Sequence, residues 1–278
     1  MHISLGHHGM CSELLKIVSI LYEIEYNNLP VNKLTISWSG NSCTYTNDNS
    51  NKNVFTNFFI ESEYSFKEHK KIVNKFNYKN NIPLLKKYII RDKTSSIIQK
   101  YLKIIPSIQN NIDLSLDKYN NGIKIGCHIR GRRYTEFNFS SDIYKDCKSH
   151  EQFMITYLNK YEKKIEEIIN TLEIENSDKN IYVFIFTDNS PSLQYFINKN
   201  KDGCNRYKLV YYNDIIKADR FFKAEIHTQK NKNKDIIGNN IIKELFTMNK
   251  MDHFISELHG NVPIFVVNSN SKLIHHPI

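Results

Sequence analysis

At 278 residues, with 40% apolar, 24% charged and 12% aromatic side chains, the chain has a globular composition and can bury one large core or two smaller ones. This excludes a fibrous or disordered polypeptide. No run reaches the roughly 18–20 apolar residues of a transmembrane segment, and the start shows no secretory pattern, so the expected setting is cytoplasmic. The formal charge of +9 suits phosphorylated ligands as well as a solvated lysine surface. The lysines are scattered, as between Lys223 and Lys234, with few aromatics among them, so no specific nucleic-acid partner is expected. The five cysteines (Cys11, Cys43, Cys127, Cys147, Cys204) are dispersed and never form a C-x-x-C pair, which suggests reduced thiols and no zinc site.

The first half opens on a short strand, residues 1–5, and the loop Gly6-His7-His8-Gly9. Ser12 can cap a helix whose residues Leu14, Leu15, Val18, Leu21 and Tyr22 fall at helical spacing. KLTISW, residues 33–38, reads as a strand, and residues 53–59 as a short helix after a polar loop. Between residues 61 and 88 the periodicity is mixed. A helix is expected over residues 92–105, stopped by Pro106. A polar run at residues 117–122 marks the lobe boundary, giving lobes 1–120 and 121–278.

The second half is more regular. Residues 123–129 form a strand, and residues 153–172 a helix with Leu158, Tyr161, Ile165, Ile169 and Leu172 on one face. IYVFIF, residues 181–186, is a continuous apolar run, the mark of a central parallel strand. Ser190-Pro191 opens a helix, serine as cap and proline in the first turn. Strands at 209–212 and 253–256 and a helix at 240–248 complete the alternation. This pattern predicts an α/β lobe of the doubly wound kind.

In such a lobe ligands bind beyond the carboxyl ends of the strands. Two of these ends carry candidate chemistry: Arg130-Gly131-Arg132-Arg133 after the first strand, and Thr187-Asp188-Asn189 after the second. Three adjacent guanidiniums repel one another unless an anion arrives, and each can fork two hydrogen bonds onto phosphate oxygens. Because Ser190 is placed to cap the helix, Asp188 is expected to be available to a ligand hydroxyl or base edge. The chain contains neither a P-loop nor a G-x-G-x-x-G fingerprint. It also lacks D-x-D, the acidic pair that would present hard oxygen ligands to a divalent metal. The adjacent pairs His7-His8 and His275-His276 lack metal-ligand spacing and are expected to lie in solvated loops.

At His128-Ile129-Arg130-Gly131, with Phe184-Ile185-Phe186-Thr187-Asp188 further on, the chain resembles the fucosyltransferase superfamily. That superfamily includes core α1,6-fucosyltransferases, nodulation fucosyltransferases and protein O-fucosyltransferases. The stretch 241–267, with Ser256 and His259-Gly260-Asn261-Val262, looks like its C-terminal nucleotide-closing element, and residues 6–15 followed by LTISW are similar to the start of bacterial members. The resemblance implies a GT-B architecture of two Rossmann-like lobes, with the nucleotide site in the C-terminal one. It further implies a metal-independent, inverting transfer of fucose from GDP-fucose to a glycan or protein hydroxyl, without cofactor.

By the same resemblance Arg130 would grip the diphosphate. His128, Gly131, Arg132, Arg133, Thr187, Asp188, Ser256, His259, Gly260 and Asn261 would line the donor site, and His7, His8 and Gly9 the acceptor-side loop. Where the superfamily carries an acidic residue after H-x-R, this chain has Arg132-Arg133, which leaves Glu136 as the nearest candidate base. Two alternatives stay open: another GDP- or UDP-sugar on the same fold, and a non-catalytic nucleotide-sugar or nucleic-acid binding module.

Overall fold

In the computed structural model the described residues are 2–26, 33–47, 50–60, 64–65, 85, 89–131, 149–175, 178–201, 206–215, 217–219, 233–257 and 260–278. The chain divides into two compact units. The first comprises Met1–Leu114, Asn231–Asn249 and His259–Lys272; the second comprises Ser115–Lys230, Lys250–Leu258 and Leu273–Ile278. A single cut at residue 120 therefore describes only the first crossing, since two later segments return to the first unit.

The first unit carries a small sheet of order β1-β2-β3. β1 (His2–Ser4) runs parallel to β2 (Lys33–Ser37), and β3 (Tyr64–Ser65) antiparallel to it. Helix α1 (Met10–Tyr26) buries Leu14, Ile17, Val18 and Leu21 almost completely. It begins earlier than its sequence suggests. The Gly9 carbonyl already accepts from the Ser12 and Glu13 amides, so Ser12 lies inside the first turn and is not the cap. The expected short helix at 53–59 is a single 3-10 turn, Phe55–Asn57.

Pro106 does more than stop a helix. After α2 (Arg91–Tyr101) it opens α3 (Pro106–Leu116), where its missing N–H would have had no helical partner anyway.

Two C-terminal helices return to this unit. The first, α6 (Lys234–Met248), starts well before residue 240 because the Asn233 side chain accepts from the Asp235 and Ile236 amides. Its Gly238 permits close approach, since a Cβ there would sit 2.7 Å from the Tyr45 carbonyl oxygen and 2.8 Å from the Phe58 ring. The second, α7 (Asn261–Ser269), packs mainly on α2 and also on α1. Asn268 donates to the Leu85 carbonyl at 3.0 Å and accepts from Thr94 Oγ1 at 3.0 Å, while Ser95 donates to the Ser269 carbonyl at 3.1 Å. Buried polar groups satisfied in this way specify which helix face docks.

The second unit is built on a parallel sheet of order β6-β5-β4-β7-β8. β4 (Gly122–Ile129) lies at its centre, between β5 (Asn180–Thr187) and β7 (His253–Ser256). β6 (Lys208–Val210), shorter than the sequence suggests, and β8 (Ile274–Pro277) form the edges. Burial of Ile181 to Thr187 along the whole of β5 explains its unbroken apolar run. On one face Ile125, Cys127 and Ile129 pack with Tyr157, Leu158 and Tyr161 of α4 (His150–Glu175) and Phe196 of α5 (Ser190–Lys201). On β4, a Cβ at Gly126 would lie 2.7 Å from the Met251 side chain, so a larger residue there would displace Met251.

β8 corrects the reading of His275-His276 as a solvated loop. The pair lies on a strand beside β7, with His276 Nε2 3.0 Å from His253 Nδ1 and His275 Nε2 2.9 Å from Ser256 Oγ. Among the described residues no helix is long and apolar enough to cross a membrane.

Candidate functional site

The carboxyl edge of the parallel sheet brings the two sequence motifs together. β4 and β5 are paired in register along their whole length, ending with Ile129 opposite Thr187, so the next residues of the two strands emerge side by side. The Gly131 amide donates to Asp188 Oδ1 at 2.7 Å, tying the turn after β4 to the end of β5. Asn189 Nδ2 donates to the same oxygen at 3.1 Å and to Thr187 Oγ1 at 3.1 Å. The backbone is pinned as well, because the Ala218 amide donates to the Asp188 carbonyl and the Ser190 amide to the Ala218 carbonyl, each at 2.8 Å.

Asn189 caps α5: its Oδ1 accepts from the Ser192 amide at 2.9 Å. Ser190, expected as the cap, lies in the first turn with Pro191. Asn ranks with Ser as a cap and stands one residue earlier in Thr-Asp-Asn-Ser-Pro, a signal that the eye passes over in favour of serine. The consequence reaches Asp188. It is a hydrogen-bonded part of the sheet edge, with Oδ1 accepting from the Gly131 amide and from Asn189.

The electrostatics of this edge are uneven. Asp188 keeps some exposure, yet desolvation raises its pKa against the opposing pull of the Gly131 amide, Asn189 and Arg130. Burial, reinforced by Arg130, pushes the His128 imidazole down to about 3, so that ring is neutral across the physiological range. The backbone of β4 is held here too, by Tyr161 of α4, whose hydroxyl donates to the His128 carbonyl at 3.2 Å. Arg130 thus leaves the central strand beside a neutral imidazole and a partly buried carboxylate, a setting in which a guanidinium can meet an anion from the solvent side.

Of the other expected site residues, one shares this sheet, several belong to the first unit, and the rest lie outside the described residues. Ser256 is buried at the end of β7 and bonded to His275, on the same sheet. Gly260 and Asn261 begin α7 in the first unit, as do the exposed His7 and His8 and the neighbouring Gly9 in the loop before α1. Arg132, Arg133, Glu136 and His259 lie outside the described residues. No group of three or more His, Cys, Asp or Glu side chains that could hold a metal ion occurs among the described residues. Cys11, Cys43 and Cys127 are buried free thiols.

Two α/β units, the second built on an open parallel sheet with charged residues at its carboxyl edge, define a protein of the GT-B fold class. No protein-family model matches the sequence, and no curated protein matches it either. Among solved structures, the chain is similar to the α-1,6-fucosyltransferase NodZ soaked with GDP-fucose, at 12% identity, with 97% of this chain and 91% of that one covered and a TM-score of 0.54. NodZ co-crystallized with GDP gives 13% identity, coverage of 95% and 90%, and a TM-score of 0.55. The Bradyrhizobium fucosyltransferase NodZ gives 12%, the same coverage, and 0.53. At such identities the likeness is one of fold, and at that level it agrees with the resemblance carried by His128-Ile129-Arg130-Gly131.

Proposed function

We propose that this protein is a glycosyltransferase that takes its sugar from a nucleoside diphosphate, with GDP-fucose as donor and a glycan or protein hydroxyl as acceptor. The observation that carries the reading is the delivery of Arg130 to the carboxyl edge of the central strand β4, where GT-B and other open α/β sheets bind ligands. The fold shared with NodZ, crystals of which were soaked with GDP-fucose or co-crystallized with GDP, supports the choice of donor.

In this reading the acceptor oxygen attacks the anomeric carbon as the bond to the diphosphate oxygen breaks, with inversion. Negative charge builds on the departing diphosphate, and the Arg130 guanidinium meets it there. An interaction that strengthens as the charge develops lowers the barrier more than one already complete in the bound donor. The acceptor proton passes to a carboxylate or to solvent, Glu136 being the candidate base. Metal independence rests on the sequence, which offers no D-x-D pair.

Thermal protection by a panel of nucleotides and nucleotide sugars, each with EDTA and with Mg²⁺, tests the reading. GDP and GDP-fucose are expected to protect equally well with and without metal. Protection by UDP compounds alone would reassign the donor. The absence of protection by any nucleoside diphosphate would overturn the reading.

A further inference from the structure

We infer that Asp188 is a positioning residue: it holds the Arg130-Gly131 turn in the orientation that presents the guanidinium to the donor, and it does not itself read the nucleotide. The inference rests on the donor reading above and adds to it a role for the Thr-Asp strand end. Its basis is the geometry at the carboxyl edge. Asp188 Oδ1 accepts from the Gly131 amide at 2.7 Å and from Asn189 Nδ2 at 3.1 Å, so one oxygen links the end of β4 to the cap of α5. Asn189 is in turn committed to the Ser192 amide at 2.9 Å and to Thr187 Oγ1 at 3.1 Å. The Asp188 carbonyl is held by the Ala218 amide at 2.8 Å.

Besides the amide of Asp188 itself, the backbone amide that bonds this carboxyl group belongs to Gly131, the residue that follows Arg130. Fixing that peptide fixes where the Arg130 side chain starts, and a displacement of about 1 Å at a reacting centre is enough to cost on the order of a hundredfold in rate.

Two substitutions separate the roles. Asp188→Asn keeps an acceptor oxygen for the Gly131 amide and Asn189, whereas Asp188→Ala keeps none. Amide hydrogen exchange at Gly131 reads the tie without any ligand, and GDP and UDP titrations read its consequence. Gly131 is expected to be protected in the wild type and in Asp188→Asn, and to exchange at least tenfold faster in Asp188→Ala. The alanine variant should weaken GDP and UDP by the same factor, tenfold or more, while the asparagine variant stays within about threefold of wild type for both. Melting curves confirm that the variants are folded, and Asp188→Asn alone decides the matter if the alanine variant is not.

Three results would overturn the inference: fast exchange at Gly131 in the wild type, unchanged GDP affinity in folded Asp188→Ala, or loss of GDP-over-UDP discrimination in Asp188→Asn. A protected Gly131 in a wild type that binds no nucleoside diphosphate would leave the tie standing. It would overturn the donor reading and, with it, the positioning role.

Discussion

The two ends of β4 use the same device in opposite surroundings. At the amino end, Asp252 Oδ2 accepts from the Lys124 amide at 2.8 Å, with the Lys124 ammonium 3.7 Å away. At the carboxyl end, Asp188 Oδ1 accepts from the Gly131 amide at 2.7 Å, with Arg130 nearby. The distances are nearly identical, but the Asp252 side chain is 50% exposed whereas Asp188 and Gly131 are partly buried. Water replaces Asp252 as a partner for its amide more readily than it replaces Asp188. A hydrogen bond of one length therefore carries two different weights, and the heavier one stands beside the candidate chemistry.

The contrast can be broken by removing each carboxylate in turn. Asp188→Ala leaves the partly buried Gly131 amide and the Asn189 side chain without their acceptor, and urea denaturation should show a loss of about 1–2 kcal/mol. A loss under about 0.5 kcal/mol would mean that water substitutes freely for the carboxylate.

Acid titration gives the next largest effect. The folded pKa of His128 lies far below its ordinary value, so its contribution is complete above about pH 6.5 and is lost as pH falls toward about 3. The unfolded chain binds the proton first, and stability should decline by up to about 1.4 kcal/mol per pH unit in that window. Asp188 acts with the opposite sign: its raised folded pKa makes stability fall as pH rises through the carboxylate range. Equilibrium unfolding of His128→Gln across pH 4–7 should therefore lose the acid decline that the wild type shows. A curve parallel to wild type would contradict the burial of that imidazole.

Two smaller effects sharpen the comparison. The His253–His276 bond needs one ring to donate and the other to accept, and burial keeps both below their ordinary pKa, His276 at about 4. His276→Phe keeps the stacking but leaves His253 without its ring partner, at a cost of about 0.5–1.5 kcal/mol by chemical denaturation. Asp252→Ala, at the exposed end of β4, should fall within about 0.5 kcal/mol of wild type. A cost matching that of Asp188→Ala would remove the distinction between the two ends.

How much of this was legible in the sequence follows the range of the interactions involved. β5 announces itself because a strand covered on both faces is apolar along its length, as Ile181 to Phe186 are, while β4 and β7 show shorter apolar stretches broken by Lys124, His128 and His253. The long helix α4 shows its face through Leu158, Tyr161, Ile165 and Leu172. β8 escaped because Ile274-His275-His276-Pro277 is polar and short, and becomes a strand only through its pairing with β7. The return of α6 and α7 to the first unit escaped too, since it depends on partners such as Thr94 for Asn268 and Phe58 for Gly238. At the site, Arg130 and Asp188 were each visible as strand-end residues. Their connection through the Gly131 amide spans 57 residues of sequence and needs the strand register to be seen.

The central claim, that Arg130 grips the donor diphosphate, is tested most directly by titrating GDP into the wild type and Arg130→Lys by calorimetry in EDTA, with melting curves for both. Lysine keeps the charge but cannot fork two parallel bonds onto phosphate oxygens. The account predicts a folded variant whose GDP affinity falls by about 2–5 kcal/mol, roughly thirtyfold or more. A folded Arg130→Lys that binds GDP as tightly as the wild type would contradict it.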